Sequence, residues 1–543
     1  MTFENFIPPR VKKVLEITGE VPADFETTKK KFTEIQPACN YKVSKSFSAS
    51  DKNLDAILIQ STAIGNLQNA ELVKLIKAAA KNLNPRGRLI FVLENMGYAE
   101  NVMAILEGQP LKFKVTLSKV ELEQAIQAAG LKEFSALNAV RRVGVNRGVA
   151  EAAKVDLSVF AYIISATPEK LPPRTVIQMA VGESLVCGHK RIFEPRSFIT
   201  TEPNISFLLH NSRQDYKLFT PQEFDRRIYI NQRISFKTFE NGRNLFYKMK
   251  NAGYLFIEEI DDNPIIWKKD YEGSGNINFI GVHAVQTSTE YLADYFRQFN
   301  PNVKVFANQL KTISPLRDFK KENKFPVRIL FAAVNRDAEF KEILPILNQF
   351  AQKYGDKIIY KVIAKTELFN ALQTPNKILV GDPNYYNGQF VDYEKYLQTL
   401  RETDIALLPL VDNEFNRSKS DLKFIECGAC GATALASSVV YPQTVKDGEN
   451  GLIFHDLKEF AQKLEFLIEN REKRFKLATA AYNYVKNNRL LCQHYEERLD
   501  WYFELFARLD ELNKETQARI EKLAPLFEGK NNSNAEIIIP DER

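Results

Sequence analysis

The sequence predicts an α/β protein assembled from several domains, each a mostly parallel sheet wrapped by helices. Three observations carry that expectation. At 543 residues the chain is too long for one ordinary core. Its 44% hydrophobic and 26% charged residues are those of a globular protein able to bury several cores. Strand-like apolar runs alternate with helix-like stretches over most of its length, the pattern of strand–helix–strand units.

From Arg10 to about Val149, VKKVLEIT and DAILIQS read as strands, ELVKLIKAAAKNL as a helix, NPRGR as a turn and LIFVLEN as a strand. Pro168, Pro172 and Pro173 then mark a boundary near 150 to 173. Up to about 312, RTVIQMAV, ISFLLH, RIYINQR, YLFIEEID and INFIGVHAV read as strands, with NGRNLFYKMKNAG as a helix before the fourth. The polar stretch TISPLRDFKKENKFP, 312–326, separates this part from a cleaner series. There the strands VRILFAA, KIIYKVIA, KILVG and DIALLPL alternate with the helices AEFKEILPILNQFAQKYG, TELFNALQ and YEKYLQTLRET. Such an order is doubly wound, and its ligands belong at the carboxyl ends of the strands. The expected division is 1–150, 151–312, 313–490, a long helix over 491–528 and a mobile tail over 529–543.

The formal charge of +6, from 74 basic against 68 acidic residues, is too small and dispersed for a nucleic-acid partner. No apolar run approaches the length of a membrane span, and the start MTFENFIPPRVKK lacks a signal-peptide core. A cytoplasmic location is expected, with peripheral membrane contact left open. Cys39, Cys187, Cys427, Cys430 and Cys492 are too scattered for a disulfide framework. The pair Cys427 and Cys430 makes a CxxC with no second half, so packing is its expected role.

The densest chemical signal is NEFNRSKSDLKFIECGACG, Asn413 to Gly431, which runs from the strand DIALLPL into a helix. Arg417 and Lys419 lie in its loop, Ser420 is positioned to cap the helix, and the exposed N–H groups of a helix start suit a diphosphate. Lys423 and Glu426, three apart, share one helix face, where the carboxylate can accept two hydrogen bonds from a ribose. The competing reading is a solvated helix start in which Lys423 simply pairs with Glu426. Elsewhere, Asp261 and Asp262 end the strand YLFIEEID, where either can orient or deprotonate an acceptor hydroxyl. His283 is read as ending the next strand, beside the same opening. Thr287 or Ser288 is expected to cap the helix TEYLADYF.

The stretch SDLKFIECGACGATALASSVVYPQTVKDGENGLIF resembles the nucleotide-binding region of GT-B retaining glycosyltransferases, close to the group 1 (family 4) pattern. Upstream, GYLFIEEIDDNP, FIGVHAVQTSTEYLADYFRQFNPNVKVFANQL and FAAVNRD resemble a bacterial subgroup that works in polysaccharide and glycoconjugate assembly, so the likeness spans roughly 174–500. It implies two Rossmann-like domains facing a cleft, preceded by a smaller α/β domain. It also implies a nucleoside-diphosphate sugar as donor, a glycan, lipid-linked or protein acceptor, and no tightly bound metal. Asn335 and Arg336 would hold donor phosphates; Arg336, Arg417, Lys419 and Lys423 would stabilise the departing diphosphate. Glu426 would bind ribose, and the backbone of Asn450 and Gly451 would close on the nucleotide or sugar. One departure stands out: the family's second glutamate, eight positions before the helix glutamate, is Ser418 here.

Residues 10 to 140 resemble a reduced S-adenosylmethionine methyltransferase fold, with VKKVLEIT as first strand and LNPRGRLIFVLEN as the helix–turn–strand. The Gly-rich turn is cut to ITGEVPADF, with Gly19 alone and no GxG. Only about 37 residues separate the first strand from DAILIQ, too few for two βα units. S-adenosylmethionine is therefore not expected as a cofactor, and a docking or homo-oligomerisation module is, with Glu16 and Gly19 as remnants. The alternatives are a bifunctional methyltransferase–glycosyltransferase and, given Ser418, a non-catalytic sugar-nucleotide-binding scaffold.

Overall fold

The computed structural model describes residues 6–18, 25–64, 67–94, 119–133, 138–141, 159–182, 188–211, 216–321, 325–332, 336–363, 365–381 and 391–527. The chain divides into two compact units, 1–177 with 196–207 and 219–226, and 178–195 with 208–218 and 227–543. Gly19, Cys187, Asn335 and the tail lie outside the described residues.

The first sheet holds β1 (Lys13–Ile17), β2 (Asn40–Ser44), β3 (Leu54–Ile59), β4 (Leu83–Glu94), β5 (Lys132–Glu133), β6 (Asn138–Arg141) and β7 (Val159–Thr167). Its order is β2-β1-β3-β4-β7-β5, with β6 also paired to β7. β1 to β4 run parallel, and β7 runs antiparallel between β4 and β5. The NPRGR segment, read as a turn, is part of β4, and the β3–β4 register shifts between Leu54 and Ala56 to admit it. The helix Asn69–Asn82 buries Leu72, Ile76 and Ala79, spaced four and three apart as one helix face requires.

The second sheet follows with β8 (Thr175–Val181), β9 (Ile205–Asn211), β10 (Arg226–Gln232), β11 (Leu255–Glu259), β12 (Ala284–Thr287) and β13 (Val303–Val305). Its order is β13-β12-β11-β10-β8-β9, and β10 to β13 are parallel. Every residue of β11 and β12 is buried, as expected of parallel strands covered on both faces. The run INFIGVHAV is not one strand. Ile277–Ile280 forms a short helix entered through Asn276 at φ 55°, and the strand begins only at Ala284. The buried Asn278 lies in that helix, its side-chain amide accepting from Phe236 N at 2.9 Å and donating to Ile234 O at 2.8 Å.

The third sheet has β14 (Val327–Ala332), β15 (Ile358–Ile363), β16 (Lys377–Val380), β17 (Ile405–Leu408), β18 (Thr433–Ser437) and β19 (Leu452–Phe454). All its pairings are parallel, in the order β16-β15-β14-β17-β18-β19. That is the Rossmann arrangement, whose switch point lies between β14 and β17. Ile329, Phe331, Ile343, Leu347, Leu407, Phe460 and Leu464 close its core; each large apolar side chain so buried contributes about 2 kcal/mol. Past it the long helical pattern breaks into Tyr495–Ala507 and Leu509–Leu523. These two helices pack on the second sheet through Tyr502 on Gln286 and Ile520 in its core.

Candidate functional site

The loops leaving β14 and β17 converge. Asn413 caps the short helix Glu414–Arg417 by accepting from Asn416 N at 2.8 Å. The Asn416 amide, 2% exposed, donates to Glu339 Oε1 and Val411 O, each at 2.9 Å, and accepts from Arg336 Nη1 at 2.9 Å. Arg336, ahead of the helix Asp337–Tyr354, is thereby held against the β17 loop, with Glu339 at 3.5 Å. Lys419 crosses the Phe415 ring at 3.9 Å and donates to Asp262 Oδ1 at 2.8 Å. Burial pushes its ammonium below the ordinary lysine value, against the pull of Asp262.

One turn on, Lys423 and Glu426 share a face of the helix Leu422–Ala429. Glu426 is buried and accepts from Tyr396 Oη at 2.9 Å; Lys423 Nζ lies 3.1 Å from the same hydroxyl, 4.2 Å from the Tyr396 ring centre and 3.5 Å from Glu426. The Lys423–Glu426 pair is therefore formed, with Tyr396 bridging it. Burial, then Glu426, pushes the Tyr396 phenol far above its ordinary value, so it stays a hydrogen-bond donor. Asn450 pins the neighbouring turn by accepting from Lys446 N at 2.7 Å and donating to Thr444 O at 3.2 Å. Gly451 permits close packing: a Cβ there would lie 2.8 Å from Val445.

The second sheet brings acids to the same place. Arg233, at φ 51° just beyond β10, donates to Asp261 at 2.6 Å and lies 3.5 Å from Asp262. Burial opposes the Asp261 charge, but Arg233 and Arg191 hold its carboxyl below the ordinary value. Asn263 Nδ2 donates to Glu414 O at 3.3 Å, and Thr289 Oγ1 to Ser418 O at 3.3 Å. Together with Lys419–Asp262, these contacts bring the carboxyl ends of β10, β11 and β12 against the loop after β17.

Asp261, Asp262, Arg336, Lys419, Lys423 and Glu426 thus lie along this junction, and Asn450 and Gly451 lie in the turn beside the helix. Three expectations are corrected. His283 precedes β12 rather than ending it, so it sits at the amino ends of the strands, opposite the carboxyl ends where the acids lie. Its Nδ1 accepts from Phe256 N at 2.8 Å, its Nε2 meets Asn513 at 3.1 Å, and burial lowers its pKa to about 4. The N-cap of the helix Leu422–Ala429 is Asp421, not Ser420, whose hydroxyl accepts from Asn308 at 2.9 Å. Thr289, not Thr287 or Ser288, caps the helix Glu290–Arg297. Arg417 points to solvent and pairs with Asp412 at 2.6 Å. Cys427 and Cys430 are buried, and burial raises both thiols, Cys430 to about 12. Sequence reading missed Arg233, Tyr396 and Asn416. Arg233 was detectable as the last residue of RIYINQR, had every strand end been searched alike.

Residues 365–500 match the family model described as Glycosyl transferase-like. The match covers four of the third sheet's six strands, β16 to β19, with Lys419, Lys423, Glu426 and the 444–451 turn. No curated protein matches the sequence. Among solved structures, a mutant of TarM from S. aureus in complex with Fondaparinux, alpha-GlcNAc-glycerol and UDP is 14% identical, with a TM-score of 0.35. That match covers 51% of this chain and 55% of TarM, so the chain spans little more than half of that relative. Sucrose-phosphate synthase from Thermosynechococcus elongatus is 12% identical over 62% of this chain and 99% of its own, TM-score 0.44. A glycosyltransferase from Rickettsia africae is 14% identical over 61% and 98%, TM-score 0.42. Among the described residues no group of three or more His, Cys, Asp or Glu is arranged to hold a metal, and no helix is long and apolar enough to cross a membrane.

Proposed function

We propose that residues 151–490 form a glycosyltransferase whose donor is a nucleoside-diphosphate sugar. The observation that carries this reading is the contact of Lys419, which with Arg336 lies beyond the third sheet's switch point, with Asp262 from the second sheet. The cations stabilise charge on the departing diphosphate, the largest electrostatic demand of the reaction. Glu426, positioned by Tyr396, accepts from the ribose hydroxyls. The bond from the anomeric carbon to the diphosphate oxygen breaks, and an acceptor hydroxyl, oriented by Asp261 or Asp262, forms the new one. In this scheme 151–312 takes the acceptor, which is a glycan, a lipid-linked sugar or a protein, and 313–490 takes the donor. Retention of anomeric configuration and a role in bacterial polysaccharide or glycoconjugate synthesis follow from the family resemblance.

Residues 1–150 are proposed as a non-catalytic docking module with a methyltransferase-like plan. Support comes from Glu16, a fully buried residue whose carboxylate accepts from Tyr41 Oη at 2.8 Å and from the Gln60 amide. A thermal-shift screen against UDP-, GDP-, dTDP- and CMP-sugars tests the main reading. One class is expected to raise the melting temperature, and the Glu426→Ala protein is expected to lose the shift. A flat response to all four, or an undiminished shift in the variant, rejects the donor site.

A further inference from the structure

We infer that Arg489 is a positioning residue for the donor site, acting through Asp421; the inference deepens the donor-site reading above and rests on it. Asp421 stands at the N-cap of the helix that carries Lys423 and Glu426, where an aspartate ordinarily accepts a hydrogen bond from the first-turn N–H groups. Its side chain makes no such bond. Instead, both carboxylate oxygens are taken by Arg489, Nη2 at 2.9 Å from Oδ1 and Nη1 on Oδ2. Oδ2 also accepts from Thr444 Oγ1 at 2.6 Å. The partners are well shielded, with 10% of the Arg489 and 13% of the Asp421 side chain exposed.

Two consequences follow for an anionic ligand at that helix start. The guanidinium cancels a carboxylate that would otherwise repel a diphosphate, and it draws that carboxylate away from the N–H groups the diphosphate would use. Arg489 also fixes where the helix start lies. Its Nη2 donates to Asn308 O at 2.8 Å and its Nε to Gln309 Oε1 at 3.2 Å, while Leu310 N donates to Arg489 O at 2.9 Å. Residues 308–310 connect the second and third sheets. Asn308 donates to Ser420 Oγ and accepts from Arg191 Nη1 at 3.1 Å, and Arg191 holds Glu259 at the end of β11 at 2.8 Å. On the other side Thr444 carries the contact into the 444–451 turn. One guanidinium thus joins the connector, the helix start and the turn, so the donor's contacts keep a fixed mutual geometry.

The test compares Arg489→Lys, Asp421→Asn and Thr444→Val with Glu426→Ala in the full-length protein, using the sugar nucleotide found by the thermal-shift screen. Donor KM is expected to rise about tenfold in Arg489→Lys and Asp421→Asn, and less in Thr444→Val. Acceptor KM should stay within twofold, and the double variant Arg489→Lys/Asp421→Asn should be no worse than the poorer single one. If Glu426→Ala loses donor binding while all three other variants keep donor KM within twofold, the positioning role is wrong and the donor site stands. If donor and acceptor KM stay unchanged while kcat falls in step with the folded fraction, Arg489 is structural only, which also overturns the proposal. If Glu426→Ala binds donor normally, the site reading itself fails.

Discussion

The second and third sheets share a plan of parallel strands with functional loops at their carboxyl ends, yet those ends carry opposite charge. Beyond β11 stand Asp261 and Asp262, steadied by Arg233 beyond β10; beyond β14 and β17 stand Arg336, Lys419 and Lys423. Common topology therefore says where a ligand sits and nothing about which one. In the proposed scheme the side chains at the strand ends divide the labour: bases face the group that leaves as an anion, and acids face the hydroxyl that gives up a proton.

The strongest way to break this division is to remove the basic side. Arg336→Ala combined with Lys419→Ala is expected to lower kcat/KM about a thousandfold in a glycosyl-transfer assay, with the protein still folded. A loss under tenfold would mean that these cations serve the fold and not the leaving group. Next, Glu426→Ala should weaken donor affinity about a hundredfold by calorimetric titration, since a buried charged acceptor and its Tyr396 partner are lost together.

The third expectation contrasts the two ends of the second sheet's strands. Buried and neutral, His283 titrates at about 4 in the folded state, against an ordinary value near 6.5. Between those values the unfolded chain binds the extra proton, so stability is complete above pH 6.5 and falls as pH drops towards 4. From pH 7 to pH 5 the wild-type protein should lose about 2 kcal/mol from this residue in urea denaturation, and His283→Gln should lack that part of the slope. Equal slopes would show that His283 is not the titrating group. The smallest effect belongs to the acids: Asp262→Asn should lower kcat about tenfold and leave donor affinity within about threefold.

Much of this was legible from residues alone, for identifiable reasons. VRILFAA, KIIYKVIA and DIALLPL became β14, β15 and β17 because strands covered on both faces are continuous apolar runs. Lys423 and Glu426 met because a helix brings positions three apart together. INFIGVHAV failed because its apolar residues suit a strand as well as the short helix Ile277–Ile280 that precedes β12. That error carried His283 to the wrong end of the sheet. Tyr396 went unnoticed because its partner Glu426 is 30 residues away in sequence, a pairing that local periodicity does not encode.

The helices Tyr495–Ala507 and Leu509–Leu523 complete a sheet that was built far earlier in the sequence. Tyr502, Asn513, Thr516 and Ile520 close over Gln286, His283 and Val282. A polypeptide ending near Leu490 would keep every strand of both Rossmann-like sheets, yet leave the β12 side of the second one uncovered. During synthesis that sheet therefore waits, incomplete, until the ribosome has passed Ile520.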